Sequence, residues 1–302
     1  MADWQIDPGA DLRPELRRVL DVMVARCRAL LDDPNPKDRA RQLRDARLIL
    51  KQLRGIIRML APRLPSERAT EANAICRDLG RSLGSARDAD AMRETLDKLI
   101  RKFPRRLSPD ELAALLQQLN LTPDTELQLS PQQSSVLAPL PHLVGEGLGE
   151  GEGEGNHSWT LLAPGIRKIY RQGRRAWHAA QKDPTDSTLH EWRKRARDIR
   201  TLCVLLLAVW PEQFEALEAT AHRLTDALGK DHDLVLFEQA LSRMPAEMPT
   251  PEIRGWLDEA ITKRHHKSQN SAWELGALLY GERPNAMIKR WKSWWESSRH
   301  ES

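Results

Sequence analysis

Tyrosine and phenylalanine are scarce: 302 residues hold two Tyr and three Phe beside ten Trp. Strand-like alternation of apolar and polar residues is nearly absent too. Pleated sheets draw on aromatic and β-branched residues, so the composition argues against a β-rich fold. Cysteine is also rare. Cys27, Cys76 and Cys203 are odd in number, far apart and outside any C-x-x-C. They read as small apolar residues of a reduced, cytoplasmic chain rather than a disulfide framework. The acidic stretch Met1–Asp11 lacks the apolar core of a signal peptide. The longest apolar run, Leu202–Trp210, is about half of the ~20 residues that span a bilayer. There is no G-x-S-x-G, no Gly-rich nucleotide loop and no convincing catalytic triad. His178, His222, His265 and His266 show no metal spacing such as H-E-x-x-H and have no cysteine partner. The expectation is a protein without metal, cofactor or catalytic residues.

What is present is helical periodicity. A hydrophobic fraction of 40% is enough for a sizeable core, and 30% charged residues suit solvated helix faces. The pattern predicts helices over Asp11–Leu31, Asn35–Leu60, Glu67–Leu83, Asp88–Phe103 and Pro109–Leu119. It resumes at Pro164–Lys182, Ser187–Val209, Glu212–Leu228, Leu234–Ser242, Pro251–Tyr280 and Asn285–Ser298. Residues 120–158 differ in kind. Proline and Gly/Glu alternation leave no packable face there, so a disordered linker is expected. The predicted organisation is a helical bundle over 1–119, that linker over 120–158, and a second bundle over 159–302.

The two halves are related by an offset of about 146 residues. Under it Leu43, Ala46, Leu50, Leu53, Ile57 and Leu60 become Leu189, Trp192, Ala196, Ile199, Cys203 and Leu206. All are apolar at 3–4 spacing, the stripe of a bundle core. Leu83-Gly84 and Leu228-Gly229 close the next helix in each half. The prediction is an all-α fold of two tandem antiparallel four-helix bundles, produced by internal duplication, with a basic pore or groove.

Cations follow the same repeat. Arg44, Arg47, Lys51, Arg54 and Arg58 form one row; His190, Arg193, Lys194, Arg197 and Arg200 form the other. Steps of 3, 7 and 10 residues fall within about 80° on a helix, so each row is one stripe. Each stripe lies roughly 110° from the centre of the apolar one, where neighbouring helices can wall a groove. Like charges at such spacing cost ~0.2–0.5 kcal/mol per pair, a cost that a bound polyanion removes. The net charge is +4; setting aside Glu146, Glu150, Glu152 and Glu154 of the Gly-rich tract raises the rest to +8.

Leu189-His190-Glu191-Trp192-Arg193-Lys194-Arg195, with Tyr170–Arg175 and Asp183–Asp186 before it, resembles the CHAD family, the conserved histidine α-helical domain. Arg44–Arg58 and Leu83–Asp88 resemble its N-terminal repeat, and Gly281–Trp295 its last helix. The resemblance implies two four-helix bundles around a basic pore that binds inorganic polyphosphate. It also implies association with polyphosphate granules and their proteins, or with polyhydroxyalkanoate granules. Many relatives carry a fused triphosphatase barrel; these residues hold none, so that chemistry is not carried over. The family's first-half histidine is Arg44 here, which argues against a metal-binding or catalytic histidine pair.

Further candidates for the groove are Arg17, Arg18 and Arg28, their counterparts Arg167, Arg171, Arg174 and Arg175, and Lys289, Arg290 and Lys292 of the last helix. A bound polyanion is expected to raise the pKa of His190 and so strengthen binding in mild acid. Asp88 and Asp233 are read as structural acids rather than a catalytic pair. Trp291, Trp294 and Trp295 are read as bundle core, with a surface anchor as the alternative. Charge alone also permits a nucleic-acid binder. Single-strand binders interleave stacking aromatics with their cations, however, and the first stripe has none.

Overall fold

In the computed structural model, α1 (Leu12–Asp32) begins at Asp11, whose carboxylate accepts from the Arg13 amide. A carboxylate there satisfies an amide that the first turn leaves without a helical partner. The structure describes residues 3–33, 38–83, 94–99, 134–148, 159–244 and 249–299, together with positions 111, 115 and 117. Every regular element among them is helical. Asp38 caps α2 (Arg39–Leu60) through the Arg41 amide, and Pro62 lies beyond its end. α3 (Ser66–Ser82) follows a single 3₁₀ turn. α4 is Leu140–Gly147, α5 Trp159–Lys182, α6 Asp186–Leu205, α7 Pro211–Ser242, α8 Pro251–Tyr280 and α9 Pro284–Ser298. Thr185 and Thr188 form a capping box on α6. Pro211, Pro251 and Pro284 occupy first turns, where a missing N–H costs nothing.

Neighbour relations repeat. α1 packs on α2, α2 on α3, α3 on α4 and α4 on α1. α5, α6, α7 and α8 close a second ring in the same way, and α9 lies on α5. The rings share one core, a single apolar cluster running from Trp4 to Trp295. All twelve residues of the repeated apolar stripe are buried in it. A second cluster joins Leu96, Leu99 and Leu115 to Leu234, Phe237 and Leu257 on the distal parts of α7 and α8. Part of the first half therefore rests on the second. Of the helices expected at Asp88–Phe103 and Pro109–Leu119, residues 94–99 and positions 111, 115 and 117 are described, and they are helical.

Three expectations need correction. Residues 134–148 are not a structureless linker. Leu137, Leu140, Val144 and Leu148 recur at 3–4 spacing and are buried. The prolines 139 and 141 sit at the start of α4, where they favour a helix rather than break one. The rest of 120–158 lies outside the described residues. Secondly, α5 starts five residues before Pro164. Pro164 has no N–H for the carbonyl of Thr160, and Arg63, in the 3₁₀ turn after α2, supplies the donor at 2.7 Å. Thirdly, α7 runs unbroken through Gly229.

α5 crosses α2 where Gly165 meets Met59. A Cβ built on Gly165 would stand 1.6 Å from the Met59 carbonyl oxygen. Backbone, unlike a flexible side chain, cannot swing aside. Gly165→Ala is therefore expected to cost about 2–3 kcal/mol in urea unfolding. A loss below about 0.5 kcal/mol would show that the two helices do not approach this closely.

Candidate anion-binding helix faces

α2 and α6 carry the two rows. Each presents its apolar stripe to the core and its cations along the flank. Arg44, His190 and Lys194 are exposed; Arg47, Lys51, Arg54, Arg58, Arg193, Arg197 and Arg200 are partly so. The helices touch at Gly55 and Thr201, with 3.2 Å from the Gly55 Cβ position to the Thr201 methyl. These two residues are each other's counterparts under the 146-residue offset. Most of both rows lies on the N-terminal side of this contact. Beyond it, Arg58 forms a two-pronged ion pair with Asp198, which is 3% exposed. Burial pushes the Asp198 carboxyl above its ordinary pKa, and the charges of Arg58 and Arg195 pull against that shift.

Equivalent arginines reach the next helix of their own half. Arg47 Nη1 donates to the Leu83 carbonyl at 3.2 Å, at the end of α3. Arg193 lies over Gly229 of α7, its Nη2 3.0 Å from where a Cβ would stand. Glycine at 229 thus clears a path for a guanidinium rather than ending a helix. Arg54 Nε donates to Asn73 Oδ1 at 3.0 Å, and Arg200 Nε to Glu218 Oε1 at 2.6 Å. The row is crowded: burial, then the neighbouring charge of Arg58, lowers the pKa of Arg54. Two cationic flanks thus meet at one crossing, with their apolar stripes turned inward.

A model of the CHAD domain matches residues 15–242. The chain belongs to the CHAD family. No curated protein matches it. The matched CHAD region includes both rows and the crossing, and ends with α7.

The histidine of the CHAD motif, His190, faces His232 of α7 with ring centroids 4.8 Å apart. Partial burial of the ring, and then repulsion by His232, Lys194, Arg193 and Arg197, lowers its pKa to about 4. It is therefore neutral at pH 7 without an anion. A phosphate beside it would raise that value, so binding would take up a proton and affinity would rise as pH falls. A polyphosphate titration from pH 4.5 to 8 is expected to show this rise for the native chain and not for His190→Gln. An equal rise in the variant would remove His190 from the site.

Several predicted cations are committed elsewhere. Arg18 bonds Glu15 and the carbonyls of Asp3 and Gln5, tying down the N-terminal segment. Arg174 donates to the carbonyls of Tyr280, Gly281 and Glu282 and so caps the C-terminus of α8. Arg290 pairs with Glu282 and covers the Trp294 ring at 4.5 Å. Lys292 pairs with Glu296 at 3.2 Å and Lys194 with Glu191 at 2.6 Å. Arg17, Arg167, Arg171, Arg175 and Lys289 are exposed, and Arg28 is partly buried. Trp291 and Trp295 are buried core, and Trp294 packs edge-on against Trp210 and Phe214.

Asp88 lies outside the described residues. Asp233 lines a cavity of about 650 Å³ with Arg223, Lys230, Arg264 and Lys267. Asp231, two positions before it, is buried against His265, 2.7 Å away. Among the described residues no group of three or more His, Cys, Asp or Glu could hold a metal, and no helix is long and apolar enough to cross a membrane. The three cysteines are buried thiols, with Cys27 and Cys76 pushed up to about 12 by burial. Asn73, Asp198, Glu218, His232 and Gly229 are the site neighbours that sequence reasoning missed. Gly229 and His232 stood within a stretch read beforehand as a helix end, Leu228–Asp233.

Proposed function

We propose that this CHAD protein is a non-enzymatic binder of inorganic polyphosphate. Two four-helix bundles, products of an internal duplication, would place the cationic flanks of α2 and α6 along one basic groove. The observation that carries this reading is the Gly55–Thr201 contact. A residue that touches its own repeat equivalent is the mark of a pseudo-two-fold axis, by the logic of isologous interfaces. Both rows then approach the axis as equivalents, and an anionic chain crossing it meets cations from each half. Arginine suits bidentate contact with phosphate oxygens, and Lys51 adds a point charge.

The nucleic-acid alternative wants aromatic platforms beside the cations. Trp192 instead is fully buried and stacks on Trp273 at 5.1 Å. That favours a bare phosphate chain over bases. Binding of this kind would suffice to bring the protein, and any partner it carries, to polyphosphate granules.

The test is a titration with long-chain polyphosphate, followed by sizing of the polymer on a gel after prolonged incubation. The expected result is saturable binding with chain length unchanged. Shortening would replace the binder by a hydrolase, and no binding would end the proposal.

A further inference from the structure

We propose that Glu218 is an internal counter-anion, which polyphosphate displaces from Arg200, and that the first half therefore holds its end of the polymer more tightly. The inference rests on the polyphosphate reading above and concerns a difference between the two rows.

Arg54 and Arg200 are equivalents at an offset of 146. Asn73 and Glu218 are equivalents at 145, the offset that also relates Leu83 to Leu228. The helices carrying them are buried in register: Cys76 and Leu79 of α3 correspond to Ala221 and Leu224 of α7, and all four are in the core. In both halves the same arginine atom, Nε, donates to the same position of the next helix. The acceptor alone differs. Asn73 offers a neutral amide oxygen and leaves Arg54 its charge. Glu218 offers a carboxylate and cancels the charge of Arg200.

The pair is open to competition. The side chain of Arg200 is 29% exposed and that of Glu218 24%. A phosphate reaching Arg200 must take the place of a carboxylate at 2.6 Å. At Arg54 it only adds to an amide contact. Removing one counter-charge should therefore add about one phosphate contact, which steepens the salt dependence by about 0.7–0.9. Phosphate oligomers too short to engage both rows settle on the first half, and only longer chains open the second.

The experiment measures polyphosphate affinity, its salt slope and thermal stability for the native chain, Glu218→Gln, Asn73→Asp and the double swap. Both substitutions keep side-chain shape. Glu218→Gln is expected to raise affinity roughly three- to tenfold and to lower stability slightly. Asn73→Asp is expected to do the opposite, since it gives Arg54 a charged partner in place of a neutral one. A purely structural role for these residues would move affinity and stability in the same direction. In the native chain Arg54→Gln should cost more affinity than Arg200→Gln, and the double swap should reverse that order. Native binding with unchanged affinity and slope in all variants, or an order that does not reverse, overturns the role of Glu218 and leaves the polyphosphate reading standing. Absence of binding by the native chain overturns both.

Discussion

Arg58→Met is expected to lower the unfolding free energy by about 3 kcal/mol at pH 7. The loss arises from the carboxylate left behind. Asp198 is 3% exposed and lies beside the contact between α2 and α6. Its two oxygens are held by Arg58, and Arg195 approaches only to 3.8 Å. Without Arg58, the charge stays buried with a distant partner. Removing one member of a buried pair typically costs about 3–5 kcal/mol, and Arg195 keeps this case at the lower end. Asp198→Asn should cost less, about 1–2 kcal/mol, because an amide carries no charge to desolvate. Replacing both residues, as Arg58→Met with Asp198→Leu, should recover most of the loss.

The deficit of Arg58→Met should also narrow in acid, where Asp198 loses its charge by taking up a proton. Burial already raises its pKa, and removal of Arg58 raises it further. Urea unfolding at pH 7 and pH 5 checks both statements. A loss below about 1 kcal/mol at pH 7 would mean that this ion pair does not join the halves.

Converting Arg47, Arg54, Arg193 and Arg200 to Gln together is expected to weaken polyphosphate binding on the order of 10³-fold at 0.1 M salt, roughly 1 kcal/mol per contact. The salt slope should fall by about two to three, because Arg200 already has Glu218 as counter-charge and supplies less than a full phosphate contact. Net charge alone does not explain such a loss if the rows are the site. Neutralising the exposed Arg26, Lys182, Arg243 and Lys263 changes the charge equally and should cost less than about fivefold. Equal losses in the two sets would reduce binding to the general field of the protein. Circular dichroism of both variants separates lost binding from lost fold.

The parts legible in the sequence are those set by local periodicity. The stripe from Leu43 to Leu60 and its repeat recur at 3–4 spacing, and spacing alone chooses the buried face. The cationic flanks follow from the same geometry. What escaped was set by contacts distant in the chain. Gly229 looked like a helix end, because glycine usually ends helices; here it makes room for Arg193. Pro164 looked like a helix start, and an arginine about a hundred positions earlier supplies its missing donor. The apolar spacing from Leu137 to Leu148 was hidden by proline and by the Gly/Glu tract after it. Arg58 and Arg200 appeared equivalent to their row neighbours, and only the fold brings Asp198 and Glu218 to them.

The most direct measurement is a competition between long-chain polyphosphate and single- and double-stranded DNA of matched charge at several salt concentrations. Tight polyphosphate binding that neither DNA displaces is the expected result, since cationic flanks without aromatic platforms give the bases of a single strand nothing to stack on. Equal affinity for all three polymers, falling together with salt, would contradict a dedicated polyphosphate groove and leave only nonspecific attraction.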